Sequence, residues 1–88
     1  MARFKLRIKK SAAKELEAIP RKSDRRRLVA RIQALAENPR PRGCKKLSGS
    51  ERYRIRQGSY RIVYAIEDDQ FVVYVVKIGD RKRVYRTL

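Results

Sequence analysis

Residues 53–78 read Tyr53-Arg-Ile-Arg-Gln-Gly-Ser-Tyr60-Arg-Ile-Val-Tyr-Ala-Ile-Glu67-Asp-Asp-Gln70-Phe-Val-Val-Tyr74-Val-Val-Lys-Ile78. The first four residues alternate apolar and charged, the period of a strand with one face buried. Gln57-Gly58-Ser59 is a turn signal, and residues 60–66 are rich in the β-branched and aromatic types that favour strands. Glu67–Gln70 is a second tight turn. Residues 71–78 form a nearly continuous apolar run, as expected of a strand covered on both faces, and Gly79-Asp80 is expected to break it. Three strands joined by two short turns predict an antiparallel meander.

Upstream, Arg3-Phe-Lys-Leu-Arg-Ile8 alternates again and predicts another half-buried strand. Ser11 is an N-cap candidate, with Glu15 and Glu17 early in the segment it opens. Ala12, Leu16 and Ile19 recur at helical spacing until Pro20 stops them. A second helix is expected from about Ser23 to Glu37, with Leu28, Ile32 and Leu35 as its apolar stripe, joined by Val29 and Ala36. Its other face carries Arg25, Arg26, Arg27 and Arg31, and Asn38-Pro39 ends it. Residues 40–43 form a basic loop, the chain reads as strand from Cys44 onward, and residues 81–88 are a short basic tail with room for one further strand. The expected fold is a single α+β domain over residues 1–88 of order βααβββ(β). A two-helix hairpin packs on one face of a mostly antiparallel sheet.

The chain has 88 residues, and 25 Lys plus Arg against 9 Asp plus Glu leave a net charge of +16. A body this small buries only about 60–70% of its unfolded surface, yet 42% hydrophobic residues are enough for a core. The charge therefore concerns partners more than fold: RNA, DNA, an acidic protein segment or an anionic membrane. Cys44 is the only cysteine and there is no histidine. That excludes a disulfide framework, a Cys/His zinc site, histidine acid–base chemistry and every Ser-His-Asp or Cys-His nucleophile. No apolar run approaches a membrane span, and residues 1–10 carry charges through their apolar stretch, unlike a signal peptide. The expected compartment is the cytosol.

Strand parity says where the arginines point. Arg52, Arg54 and Arg56 share the face opposite Tyr53 and Ile55. Arg61 shares a face with Val63 and Ala65, and the 57–59 turn can bring it beside Arg56. Arg81, Arg83 and Tyr85 share parity in the tail. A guanidinium is a fixed planar fork that matches a phosphate bidentately, so several converging on one sheet face read as a phosphodiester site. A solvated sheet face kept from aggregating accounts for the same pattern equally well. The α-helical cluster Arg25, Arg26, Arg27 and Arg31 reads as a general electrostatic attractor more than as a specific site. Cys44 reads as a small buried apolar residue. Tyr53, Tyr60, Tyr64 and Tyr74 belong to apolar strand patterns, whereas Tyr85 is the tyrosine expected to be wet and able to reach a base or a phosphate. The acidic turn at Glu67-Asp68-Asp69 has the wrong shape for a metal site and reads as solvated.

With these residues in view, the chain resembles the RelE/ParE superfamily of bacterial and archaeal toxins, and within it the RelE branch of ribosome-dependent mRNA endonucleases. The resemblance spans nearly the whole chain. It rests on the early strand, the two helices ending in Glu37-Asn-Pro-Arg40, Lys46-Leu-Ser-Gly49, Tyr53-Arg-Ile-Arg56, Tyr60-Arg-Ile-Val-Tyr64 and Ile78-Gly-Asp-Arg-Lys-Arg-Val-Tyr85. It implies cleavage of mRNA in the ribosomal A site by attack of a ribose 2′-OH on the adjacent phosphate, with no metal or cofactor. The catalytic positions it implies fall on Arg54, Arg56, Arg61, Arg81 and Tyr85. Arg52, Arg83, Lys45, Lys46 and the arginines at 25, 26, 27 and 31 are then the expected RNA- and ribosome-binding set. It further implies a cognate antitoxin with an acidic or amphipathic segment, held in a hetero-oligomer.

Two features depart from the family pattern. Arginines stand at 54 and 56 where lysines are usual, and an arginine effectively cannot be deprotonated to serve as a base. Little or no helix is expected after the last strand. The alternatives are a ParE-like, non-catalytic inhibitor of DNA gyrase and a basic RNA-binding module without catalysis.

Overall fold

In the computed structural model, which describes residues 3–80, the hairpin lies where the sequence places it. Strands β3 (Arg52–Gln57) and β4 (Tyr60–Glu67) pair from Arg52 opposite Ala65 to Gln57 opposite Tyr60. The connecting Gly58 sits at φ 60°, a conformation that a two-residue hairpin loop requires and that glycine adopts without steric cost. A 3₁₀ turn over Asp68–Gln70 leads into β5 (Val72–Asp80), antiparallel to β4. Phe71 closes that turn in the left-handed region at φ 54°, its ring edge-on to Phe4 at 5.5 Å.

Strand β1 (Lys5–Ile8) pairs in parallel with β5, and the short β2 (Lys45–Lys46) pairs with β3. The five-stranded sheet has the order β1-β5-β4-β3-β2. The two helices, α1 (Lys10–Glu17) and α2 (Lys22–Ala34), cover one face. The core between them holds Leu28, Leu35, Ile55, Ile62, Tyr64, Val73, Val75 and Ile78, all at or near zero exposure. Among the described residues, no helix is long and apolar enough to cross a membrane.

Three local expectations are corrected. Helix α1 begins at Lys10 with extended Lys9 as its N-cap, not at Ser11. The Lys9 N–H donates to the Val75 carbonyl at 2.8 Å, so the ladder delivers the chain straight into the helix before Ser11 is reached. Helix α2 starts at Lys22 and ends at Ala34, after which Leu35, Ala36 and Glu37 tighten into i→i−3 hydrogen bonds. Strand β5 runs through Gly79-Asp80 rather than stopping before them, because those residues pair with Arg61 and Tyr60.

The segment after α2 is pinned to the sheet. The buried Tyr64 hydroxyl donates to the Pro39 carbonyl at 2.7 Å, and burial together with nearby Cys44 pushes its phenol above the usual range. Cys44 itself is half-exposed rather than buried, although it packs against the core. Arg40 holds Asp68 through paired hydrogen bonds of 3.0 and 2.9 Å and lies over the Tyr53 ring. The Asp68 carboxyl is held below the usual carboxylate range by that guanidinium, so the acidic turn is tied down rather than merely solvated. Tyr64→Phe leaves the Pro39 carbonyl without its donor and is expected to cost about 1–2 kcal/mol. For a chain of this size, thermal unfolding should show a Tm roughly 5–15 °C lower. An unchanged Tm would mean that water replaces the hydroxyl.

Candidate nucleic-acid interface

The face of the sheet away from the helices carries the strand arginines. Arg56 lies directly opposite Arg61 in the β3–β4 ladder, which sets their Cα atoms about 5 Å apart. One rung along, roughly 7 Å away, Arg54 lies between Lys45 on β2 and Val63 on β4. Arg52 follows, opposite Ala65. Lys45, Arg52, Arg54, Arg56 and Arg61 therefore share one face, as strand parity requires.

That face is less open than alternation alone implies. Arg54 is 9% exposed and Arg61 only 5%, whereas Arg52 and Arg56 stand exposed. The floor around them is apolar: Val63 and Val76 are buried, with Leu47 and Tyr74 packed against them. Leu47 reaches this cluster because the β2–β3 connection is tied back by its N–H donating to the Arg52 carbonyl. Arg61 Nη1 donates to the Tyr60 carbonyl at 3.3 Å, while its Nε is buried without a hydrogen-bond partner among the described residues. A buried cation with an unused donor is a costly arrangement that an anion relieves.

A β-bulge sets the phase of this site. Val63 faces Lys77 but Tyr64 faces Val75, which leaves Val76 as the extra residue on β5. Strict alternation from Val73 and Val75 would drive Lys77 under the helices. The inserted residue instead puts Ile78 there and frees Lys77 to pair with Glu15 of α1. Glu15 also accepts from the Ile78 N–H at 3.2 Å, covering the β5 edge that β1 no longer reaches. The same shift brings Gly79 opposite Arg61, where the missing side chain leaves room for the guanidinium. No period in the sequence marks this insertion, since residues 71–76 are all apolar or aromatic. Glu15 carries no signal either, being one ordinary helical acid among several.

The other expected residues are placed elsewhere. Arg25 is half-buried and its guanidinium donates to the carbonyls of Ile19 and Pro20, so it fastens the α1–α2 turn. Arg26 and Arg27 are exposed on α2 and Arg31 is half-buried. All belong to the helix that covers the opposite sheet face, so they do not join the strand arginines. Lys46 lies opposite Tyr53 and pairs with Glu51 at 3.4 Å. Arg81, Arg83 and Tyr85 lie outside the described residues. Arg7, on the sheet face of the arginines, escaped the sequence reading because β1 had no assigned neighbour.

A two-helix hairpin on a five-stranded mixed sheet, with arginines grouped on the uncovered face, defines a small cationic α+β protein. Residues 6–85 match the family described as the ParE toxin of the type II toxin–antitoxin system parDE. A putative toxin RelE1 of Methanocaldococcus jannaschii is 31% identical, with 96% of this chain and 97% of that protein covered. The solved RelE of a RelE–RelB complex from Pyrococcus horikoshii superposes with a TM-score of 0.80 at 30% identity, covering 94% of this chain and 99% of that one. A mutant Escherichia coli RelE toxin in the free state superposes with a TM-score of 0.75 at 31% identity over the full length of both. The chain belongs to the RelE/ParE superfamily of toxins of type II toxin–antitoxin systems.

Proposed function

We propose that this toxin is a cytoplasmic, single-domain, ribosome-dependent endoribonuclease that cuts mRNA in the A site without a metal or cofactor. The observation that carries the reading is the Arg56–Arg61 pair beside buried Arg54, cations brought together from two strands with an unsatisfied donor among them. Like charges held this close repel unless an anion lies between them. A pentavalent phosphorane is such an anion, and fixed donors that need no reorganisation stabilise it best.

In the proposed reaction the ribose 2′-oxygen forms a bond to the adjacent phosphorus as the bond to the 5′-oxygen breaks. The products are a 2′,3′-cyclic phosphate and a 5′-hydroxyl. Arg54, Arg56 and Arg61 bind the phosphate and the charge that develops on it. Arg81 neutralises the charge on the leaving 5′-oxygen, which takes a proton from water to become the hydroxyl. Tyr85 is the group left to accept the 2′-OH proton, because an arginine cannot. Arg83, two residues away in the chain, carries guanidinium charge of the sign that favours the phenolate this role needs. The ribosome supplies orientation. Arg52, Arg83 and Lys45 extend the phosphate contacts.

The partner follows from likeness to the RelE that is solved with RelB. A cognate antitoxin is proposed here too, bound through an acidic amphipathic segment. The α1–α2 groove suits such a segment. It has a volume of about 650 Å³, a floor of Leu16, Val29 and Ala30, and a rim of Lys22 and Arg26. It continues toward Leu6 and Ile8 on the exposed edge strand β1.

A second reading, a non-catalytic inhibitor of DNA gyrase, is favoured by the match to the ParE family and by arginine at 54 and 56. Primer extension on translated message after brief expression separates the two. The nuclease reading expects new 5′ ends within codons, lost in the Arg81→Ala and Tyr85→Phe variants. Intact message with a DNA-damage response supports gyrase inhibition and overturns the nuclease.

A further inference from the structure

Tyr74 is the one aromatic residue on the arginine-bearing face among the described residues, and it is half-buried rather than sealed in the core. Its neighbours are unlike those of the other strand tyrosines. Tyr64 and Tyr53 stack on each other on the helix side, at 5.9 Å between ring centroids. Tyr74 faces Arg7 of β1 on one side and Ala65 of β4 on the other, and Ala65 in turn faces Arg52 of β3. The rung across the sheet thus reads Arg7–Tyr74–Ala65–Arg52, with both arginines exposed. Cross-strand neighbours lie about 5 Å apart, and the side chain beside the ring on β4 is only the methyl of Ala65. The Val63–Val76 patch holds the ring from beneath.

An aromatic ring on a sheet, with cations to either side, has the chemistry of a nucleobase platform. The π-face takes a base of any identity and the cations take the phosphates that flank it. We infer that Tyr74 stacks one unpaired base of the same single-stranded RNA whose scissile phosphate lies at Arg54, Arg56 and Arg61, with Arg7 and Arg52 gripping the neighbouring phosphates. The inference rests on the proposed nuclease reading and extends its RNA path across β4 and β5 to the opposite edge strand. Charge complementarity selects the occupant: among the described residues the face bears Lys5, Arg7, Arg52 and the arginine pair against one acid in the rungs, Glu67, which lies in that face's next rung from Tyr74, opposite Val72 and across from Lys5. Single-stranded rather than duplex RNA is required because only an unpaired base offers a free face.

The test uses the full chain and single-stranded RNA of about ten nucleotides, within the span such grooves cover. 2-Aminopurine is placed at one position and moved along the strand. Wild type and Tyr74→Phe are expected to quench the fluorophore at one position. Tyr74→Leu is expected to lose that quenching and to bind about 5- to 100-fold more weakly. Arg7→Ala is expected to keep the quenching and lower the slope of log affinity against log salt by about one. A structural role for Tyr74 would move unfolding but not position-specific quenching. RNA affinity that falls on Arg61→Ala yet is indifferent to Tyr74→Leu, with no quenched position, overturns the stacking site and leaves the nuclease reading standing. No RNA affinity in wild type overturns the stacking site, and cleavage of ribosome-bound message then decides the nuclease reading by itself.

Discussion

Arg61→Met is expected to abolish most cleavage of ribosome-bound message, by about 10²- to 10³-fold, while leaving the protein as stable as before or more so. The two halves of that expectation have one cause. Arg61 is 5% exposed, faces Arg56, and has a buried Nε with no hydrogen-bond partner among the described residues. A desolvated cation beside a like charge destabilises the fold. Methionine keeps an apolar stem of similar reach over Val63 and Gly79 and discards the charge. Sites that hold strain for function gain stability when that function is removed. Single-turnover cleavage and thermal unfolding on the same preparation check both halves. A Tm that falls by more than about 5 °C, the equivalent of roughly 1 kcal/mol here, would make Arg61 a structural residue. Undiminished cleavage would exclude it from the phosphate site.

The second large effect belongs to the substrate. A single 2′-deoxy nucleotide on the 5′ side of the cut should bring cleavage below detection while ribosome binding is unchanged, since the attacking oxygen is gone and nothing else on the RNA can replace it. Restoring the hydroxyl at that nucleotide alone should restore the full rate. Cleavage that persists on the deoxy substrate would require water as nucleophile and 5′-phosphate or 3′-phosphate ends. The ends can be read from the same reaction by their susceptibility to phosphatase and kinase, so the outcome also identifies the route. It separates the nuclease from the gyrase inhibitor as well, since the latter leaves both substrates intact.

Much of this arrangement was legible from residue order. Residues 53–66 alternate cleanly around a glycine turn, and that local pattern puts Arg54 and Arg56 on one face and Arg61 beside Arg56, as the ladder has them. Ile62 and Tyr64 point to the helices and Val63 away, as parity requires. The helical stripe of Leu28, Ile32 and Leu35 packs as its spacing demands. These features depend on neighbours within a few residues of each other, where side-chain direction follows from backbone period alone.

Other features depend on contacts between distant segments, which no local period encodes. Arg25 looked like one more surface cation, yet the fold spends it on the carbonyls that end α1. Ser11 had the chemistry of a cap, but a hydrogen bond from Lys9 to β5 starts the helix earlier. Sequence by itself determined where the longer strands run, to within a few residues at their ends, and which side of β3 and β4 each residue occupies, because a two-residue period is a property of the chain. Only the tertiary structure decided that β1 joins β5 in parallel, that a bulge at Val76 turns Lys77 out to Glu15, and that Arg54 and Arg61 are enclosed rather than displayed. Those outcomes are set by which distant surfaces must be covered and by where the sheet edges fall, and they exist only once the layers have packed.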